Sequence, residues 1–179
     1  MSTIKIFDKE FVPFISEETI IEKIKELANQ IKKDYDGKRP LFIAILNGSF
    51  MFASDLFKHV DIEAEICFIK LASYKGTKST GHVITAIGLD LDITNRHVII
   101  LEDIIDTGKT LHSFLPQLQN QQPASLAIAV LLDKPEPRKF EVAINYTCFI
   151  IPNIFVVGYG LDFDGLGRNI REIYQLQNS

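Results

Sequence analysis

The stretch VIILEDIIDTGKTL, residues 98–111, constrains this chain more than any other. Four apolar residues run into Glu102 and Asp103, two more into Asp106, and Thr107-Gly108-Lys109-Thr110 then opens a segment with Leu111, Phe114, Leu115 and Leu118 at helical spacing. An unbroken apolar run, as opposed to an alternating one, is the mark of a strand covered on both faces. A covered strand, an acidic turn and a helix in that order predict an α/β sheet with its chemistry at the strand's carboxyl end. Gly108-Lys109-Thr110 invites comparison with a P-loop, but that motif needs a glycine five residues before the Gly, where this chain has Asp103. The nucleotide-triphosphatase reading fails there.

The same grammar continues along the chain. Ser16 suits the N-cap of a helix running to about Tyr35, with Ile20, Ile24, Leu27, Ala28 and Ile31 on one stripe. LFIAIL (residues 41–46) is a second strand covered on both faces, and NGSFMFASDLFKHV follows it as turn and helix. EAEICFIKLASY and HVITAIGL read as two strands joined by the polar tract KGTKSTG, and SLAIAVLLDK, YTCFII and IFVVGYGLD as three more. Pro116 removes a backbone donor inside the helix after residue 108 and predicts a kink or an early end there. The expected fold is α/β, a central mostly parallel sheet flanked by helices with extra antiparallel pieces, in one domain over residues 1–179.

Charge and composition narrow the partners. A net charge of −4 gives no broad basic field, which argues against nucleic acid or an anionic membrane surface. MSTIKIFDKEF has charges where a signal peptide needs an apolar core, and no apolar run reaches transmembrane length. Cys67 and Cys148 sit in apolar contexts far apart and in no metal-ligand pattern, as buried thiols in a reducing compartment do. A soluble cytoplasmic protein is expected. His59, His82, His97 and His112 are scattered and read as structural.

The chemically rich residues fall at predicted strand ends: Asn47 and Gly48, Glu102 and Asp103, Asp133 and Lys134, and Asp162. In such sheets ligands bind in the crevice outside those ends. Thr107, Gly108, Lys109 and Thr110 at a helix N-terminus supply free N–H groups and hydroxyls, a cradle for a phosphate monoester. Glu102 and Asp103 would repel the same phosphate; they suit sugar hydroxyls or a divalent cation bridging to further phosphates. Asp106, between cradle and acids, is placed to take a proton. Together these residues describe a ribose 5-phosphate held at both ends.

That residue order closely resembles the phosphoribosyl-diphosphate signature of the type I phosphoribosyltransferases, and the resemblance covers most of the chain. ILNGSFMFASDL is similar to the pyrophosphate loop of the hypoxanthine-guanine branch, and LASYKGTKSTG, with Ser73 and Tyr74, to its mobile active-site loop. LLDKPEPR resembles its base-recognition strand, and FVVGYGLDFDGLGRNI its purine-binding segment.

The resemblance implies a small hood built from the N- and C-terminal parts, and a Mg²⁺-dependent transfer from phosphoribosyl diphosphate to hypoxanthine or guanine. It implies that Asp106 is the catalytic base and that Lys134 donates to the purine 6-oxo group. Phe155 would stack on the purine and Val156 would offer backbone groups to its edge. Glu102, Asp103 and Asp162 would serve the metal, and Arg168 the pyrophosphate. It further implies a cis peptide before Asn47, where this chain departs from the basic residue common in the family, and a homodimer or homotetramer. The rival readings are a xanthine-preferring enzyme, a nucleotide-sensing regulator of the same fold that binds RNA, and a signalling or electron-transfer domain on the same kind of sheet.

Overall fold

A computed structural model of the chain describes residues 2–74, 83–87 and 91–177, with the backbone alone at 72–74 and 83–87. The elements in order are β1 (Ile4–Ile6), β2 (Lys9–Ile15), α1 (Glu17–Tyr35), β3 (Leu41–Leu46), α2 (Phe50–His59), β4 (Glu65–Tyr74), β5 (Val83–Ile87), β6 (His97–Ile105), α3 (Lys109–Gln119), β7 (Ser125–Asp133), β8 (Tyr146–Ile150), β9 (Val156–Val157) and β10 (Ile173–Leu176).

The main sheet has the order β5-β4-β3-β6-β7-β8. Its strands pair parallel except β4 with β5, which is antiparallel. Leu41 to Ile45 of β3 are all buried, as their unbroken apolar sequence predicts for a central strand. Each of the large ones, Leu41, Phe42, Ile43 and Ile45, contributes about 1.5–3 kcal/mol relative to exposure. From β3 the chain crosses through α2 to β4 on one side; from β6 it crosses through α3 to β7 on the other. The winding therefore reverses between β3 and β6, and a crevice opens outside their carboxyl ends.

Two cores cover the sheet's faces. Helix α1 starts where the Ser16 side chain accepts from the Thr19 N–H at 3.2 Å, and Glu17, Glu18, Lys32 and Lys33 complement its dipole. It buries Ile20, Ile24, Leu27, Ala28 and Ile31 with Phe52 and Leu56 of α2. On the other face, α3 packs Leu111, Phe114 and Leu118 against Ile43, Val98 and Ile100. Pro116 does not end α3, which runs three residues further to Gln119. The Asn120 N–H donates to the Pro116 carbonyl at 3.0 Å, so the last turn closes normally.

A second sheet, ordered β1-β2-β10-β9, joins the two ends of the chain around Ile6, Phe11, Val157 and Tyr174. It is the hood implied by the resemblance, although β1, β2 and β10 had no signal of their own. The strand expected over IFVVGYGLD is corrected to Val156–Val157. Gly158, Tyr159 and Gly160 all take positive φ, which turns the chain out of the extended state. HVITAIGL is strand at Val83–Ile87, its remaining residues lying outside the described ones. Cys148 is buried, but Cys67 is only half-buried, because its strand's outer face is partly open. Among the described residues no helix is long and apolar enough to cross a membrane.

Candidate active site

Strand β6 continues to Ile105 because β7 pairs with it that far, Ile105 facing Asp133. Glu102 and Asp103 are therefore inside the strand, and its alternation sends them to opposite faces. Glu102 lines a cavity of about 110 Å³ bounded by Thr107, Gly108, Lys109 and Thr110. Asp103 turns toward the loop after β3. A Cβ built on Gly48 would overlap the Asp103 carboxylate, so only glycine allows this approach. The peptide between Leu46 and Asn47 is cis. A Cβ on Gly160 would likewise strike the Gly48 carbonyl, so the hood loop closes onto the same turn.

Burial governs both acids. It raises the Glu102 carboxyl well above the ordinary carboxylate range, and the neighbouring Asp103 charge raises it further. Glu102 Oε2 is buried without a hydrogen-bond partner. Burial pushes Asp103 up to about 6, against the pull of the Ile104 and Asp103 N–H groups and of Arg168, while Asp162 adds to the rise. Asp103 thus senses both hood residues.

Gly108 caps α3 with φ of 78°, a left-handed conformation suited to glycine. Behind it the N–H groups of Lys139 and Phe140 both donate to the Thr107 carbonyl at 3.0 Å. The cradle residues Thr107 to Thr110 therefore hold their shape from the sequence that follows β7.

Lys134, where a solvated side chain is the ordinary expectation, is 6% exposed. Its N–H donates to the Ile105 carbonyl at 3.0 Å, and its Nζ lies 4.0 Å from Asp106 Oδ2. Asp106 itself is half-exposed at the end of β6. Phe155 is not core: it is 46% exposed, packed on Phe11 and edge-on to Phe163. Val156 sits opposite Gln175 in the hood's edge strand, flanked by the bond from the Leu176 N–H to the Phe155 carbonyl. That register turns the Val156 N–H and C=O away from β10, toward the open edge.

Asp162 lies in the hood loop, not at the end of a main-sheet strand as its sequence context suggested. It accepts from the Gly165 N–H at 2.7 Å and pairs with Arg168 at 2.6 Å. Arg168 also donates to the Gly160 carbonyl at 2.7 Å, so its present partners are its own loop's. Ser73 and Tyr74 end β4, and the tract KGTKSTG lies outside the described residues. Sequence reasoning missed Arg138, whose guanidinium contacts the ends of both β6 and β7.

The chain matches the phosphoribosyl transferase domain over residues 15–164. It belongs to the phosphoribosyltransferase family. A hypoxanthine-guanine phosphoribosyltransferase of Streptococcus pneumoniae is 46% identical over 157 residues, 87% of each chain. A hypoxanthine-guanine-xanthine phosphoribosyltransferase of Tritrichomonas foetus is 40% identical over 165 residues, 92% of this chain and 90% of that one. The solved hypoxanthine phosphoribosyltransferase of Staphylococcus aureus superposes with a TM-score of 0.86 at 44% identity, covering 93% of this chain and 91% of the other. The phosphoribosyltransferase fold thus accounts for the parallel sheet, its switch point and the hood.

Proposed function

We propose that this chain is a magnesium-dependent hypoxanthine-guanine phosphoribosyltransferase of purine salvage. It moves ribose 5-phosphate from phosphoribosyl diphosphate to N9 of hypoxanthine or guanine, giving IMP or GMP and diphosphate. The observation that carries this reading is Lys134, a buried ammonium at a strand end beside Asp106, in a chain of this family. An ammonium donates to a 6-oxo group and repels the amino group of adenine.

Each end of the donor has its place. The N–H groups and hydroxyls of Thr107 to Thr110 hold the 5-phosphate at the start of α3. Glu102 and Asp103 face the ribose and the diphosphate from opposite sides of β6, and the Asn47-Gly48 turn with Arg168 receives the departing diphosphate. The purine lies between the exposed Phe155 ring and Lys134, its edge against the Val156 backbone. Asp106 accepts or relays the purine proton as N9 attacks.

The donor set fits magnesium. Glu102 Oε2 is buried and unpartnered, and Asp103 points into the diphosphate turn. Among the described residues no group of three His, Cys, Asp or Glu side chains gathers into a cage. Magnesium suits such a site, since it keeps waters and substrate phosphates beside one or two carboxylates. Glu102 on one face of β6, and Asp103 with Asp162 on the other, would hold magnesium through waters and substrate oxygens and not as one set of direct ligands; bound there it would neutralise charge on the leaving diphosphate.

The xanthine-preferring reading is not favoured, and the net charge of −4 speaks against an RNA-binding regulator. The enzyme is proposed as cytoplasmic, one domain per chain, acting as a homodimer or homotetramer without nucleic-acid or membrane partners. Phosphoribosyl diphosphate and Mg²⁺ supplied with hypoxanthine, guanine, xanthine or adenine test the reading. Consumption of hypoxanthine and guanine with stoichiometric diphosphate release is expected; turnover of adenine alone, or of no base, contradicts it.

A further inference from the structure

We infer that Arg138 is the positioning residue that sets the purine-reading Lys134 and the proton-accepting Asp106 at a fixed separation. This inference rests on the proposed function for the roles of those two residues. Arg138 touches no substrate position itself. Its Nε donates to the Asp106 carbonyl at 2.9 Å and its Nη2 to the Ile105 carbonyl at 3.1 Å. The same Nη2 contacts the Asp133 carboxylate and lies 3.5 Å from the Lys134 carbonyl. One planar guanidinium therefore spans the last residue of β6 and of β7, Ile105 and Asp133, and the first residue beyond each, Asp106 and Lys134.

Chemistry selects arginine for this place. Carbonyls converging at a strand end are acceptors only; the Ile105 carbonyl already accepts from the Lys134 N–H, and Arg138 adds a second donor there and supplies one to the Asp106 carbonyl. A guanidinium offers five donors in a rigid fork, and Asp133 neutralises its charge on the spot. A lysine has one donor centre and cannot reach the same carbonyls together. Neighbouring residues extend the brace. Lys139 and Phe140 hold the Thr107 carbonyl, and a Cβ on Gly108 would come 3.0 Å from the Arg138 side chain. Arg138 thus ties the purine-reading strand end to the proton acceptor, while the backbone beside it braces the phosphate cradle.

Arg138→Met and Asp133→Asn test this in the full chain, with kcat, KM and the hypoxanthine-to-adenine ratio measured well below the unfolding temperature of each variant. Arg138→Met should lower kcat for hypoxanthine about 10–100-fold and narrow the ratio, because Lys134 and Asp106 lose register together. Arg138→Lys should recover little of either. Asp133→Asn should move both readouts the same way, and its effect should not add to that of Arg138→Met. A merely structural arginine would lower the unfolding temperature and leave kcat and the ratio of the folded enzyme unchanged; that result overturns the inference. If Arg138→Met does not fold, wild-type kcat and ratio in Asp133→Asn overturn it equally. Failure of the proposed function would show earlier and separately, as absence of transfer by the unaltered protein.

Discussion

Lys134 Nζ lies 4.0 Å from Asp106 Oδ2 at the mouth of the crevice, the ammonium buried and the carboxylate half-exposed. Under the proposed function, the pair sets a cation for the purine oxygen beside an acceptor for the purine proton.

That environment predicts a pH dependence. Burial lowers the Lys134 ammonium below the ordinary 10.5, and Asp106 offsets part of the fall. The charged donor is complete below its own pKa and is lost as pH rises through it, earlier than for a free lysine. kcat/KM for hypoxanthine should therefore decline on an alkaline limb that begins below pH 10.5. Hypoxanthine's own ionisation acts equally on any variant, so Lys134→Arg, which stays charged, isolates the lysine's share. Identical profiles for the two enzymes would remove the titration from Lys134.

Asp106→Asn keeps the shape of the side chain and loses the proton acceptor. Single-turnover kcat should drop roughly 10²–10³-fold, with a smaller change in binding of phosphoribosyl diphosphate. An unchanged single-turnover rate would place the base elsewhere.

Gly48→Ala would put a methyl group on the Asp103 carboxylate. The cis turn and the acid must then separate, so KM for phosphoribosyl diphosphate should rise about tenfold or more while KM for the purine changes little. Equal KM values for the donor in mutant and wild type would show that the turn does not contact it.

Removing magnesium should abolish turnover, because a cation held at Glu102 and Asp103 would offset the charge that builds on the leaving diphosphate. Titration with excess EDTA followed by added Mg²⁺ checks this, and full activity in EDTA would dismiss the metal and its assigned ligands together.

Residues differ in how openly the sequence declares them. LFIAIL and the start of HVIILED are legible because a covered central strand leaves no polar positions, so composition alone locates it. Strand β2 is not legible: Pro13 interrupts it, most of its residues are partly exposed, and it pairs with β10 at the other end of the chain. IFVVGYGLD reads as strand by composition, yet Tyr159 at φ 49° bends away to bury its ring and bond Asp55 at 2.5 Å. Glu102, Asp103 and Asp106 announce themselves by their order before the glycine turn. Arg138 does not, since its partners are carbonyls 32 and 33 residues earlier that only the paired strands bring to it.

Kinetics of Lys134→Ala with hypoxanthine, guanine and adenine test most directly whether Lys134 reads the 6-oxo group of the transferred purine. A charge-assisted hydrogen bond contributes about 1.5–3 kcal/mol, so kcat/KM for both oxopurines should fall roughly 10–150-fold. Binding of phosphoribosyl diphosphate should stay near wild type, and adenine should lose little or gain as the repelling donor is removed. An equal loss with all three bases would contradict the claim and leave Lys134 a structural residue of the strand end.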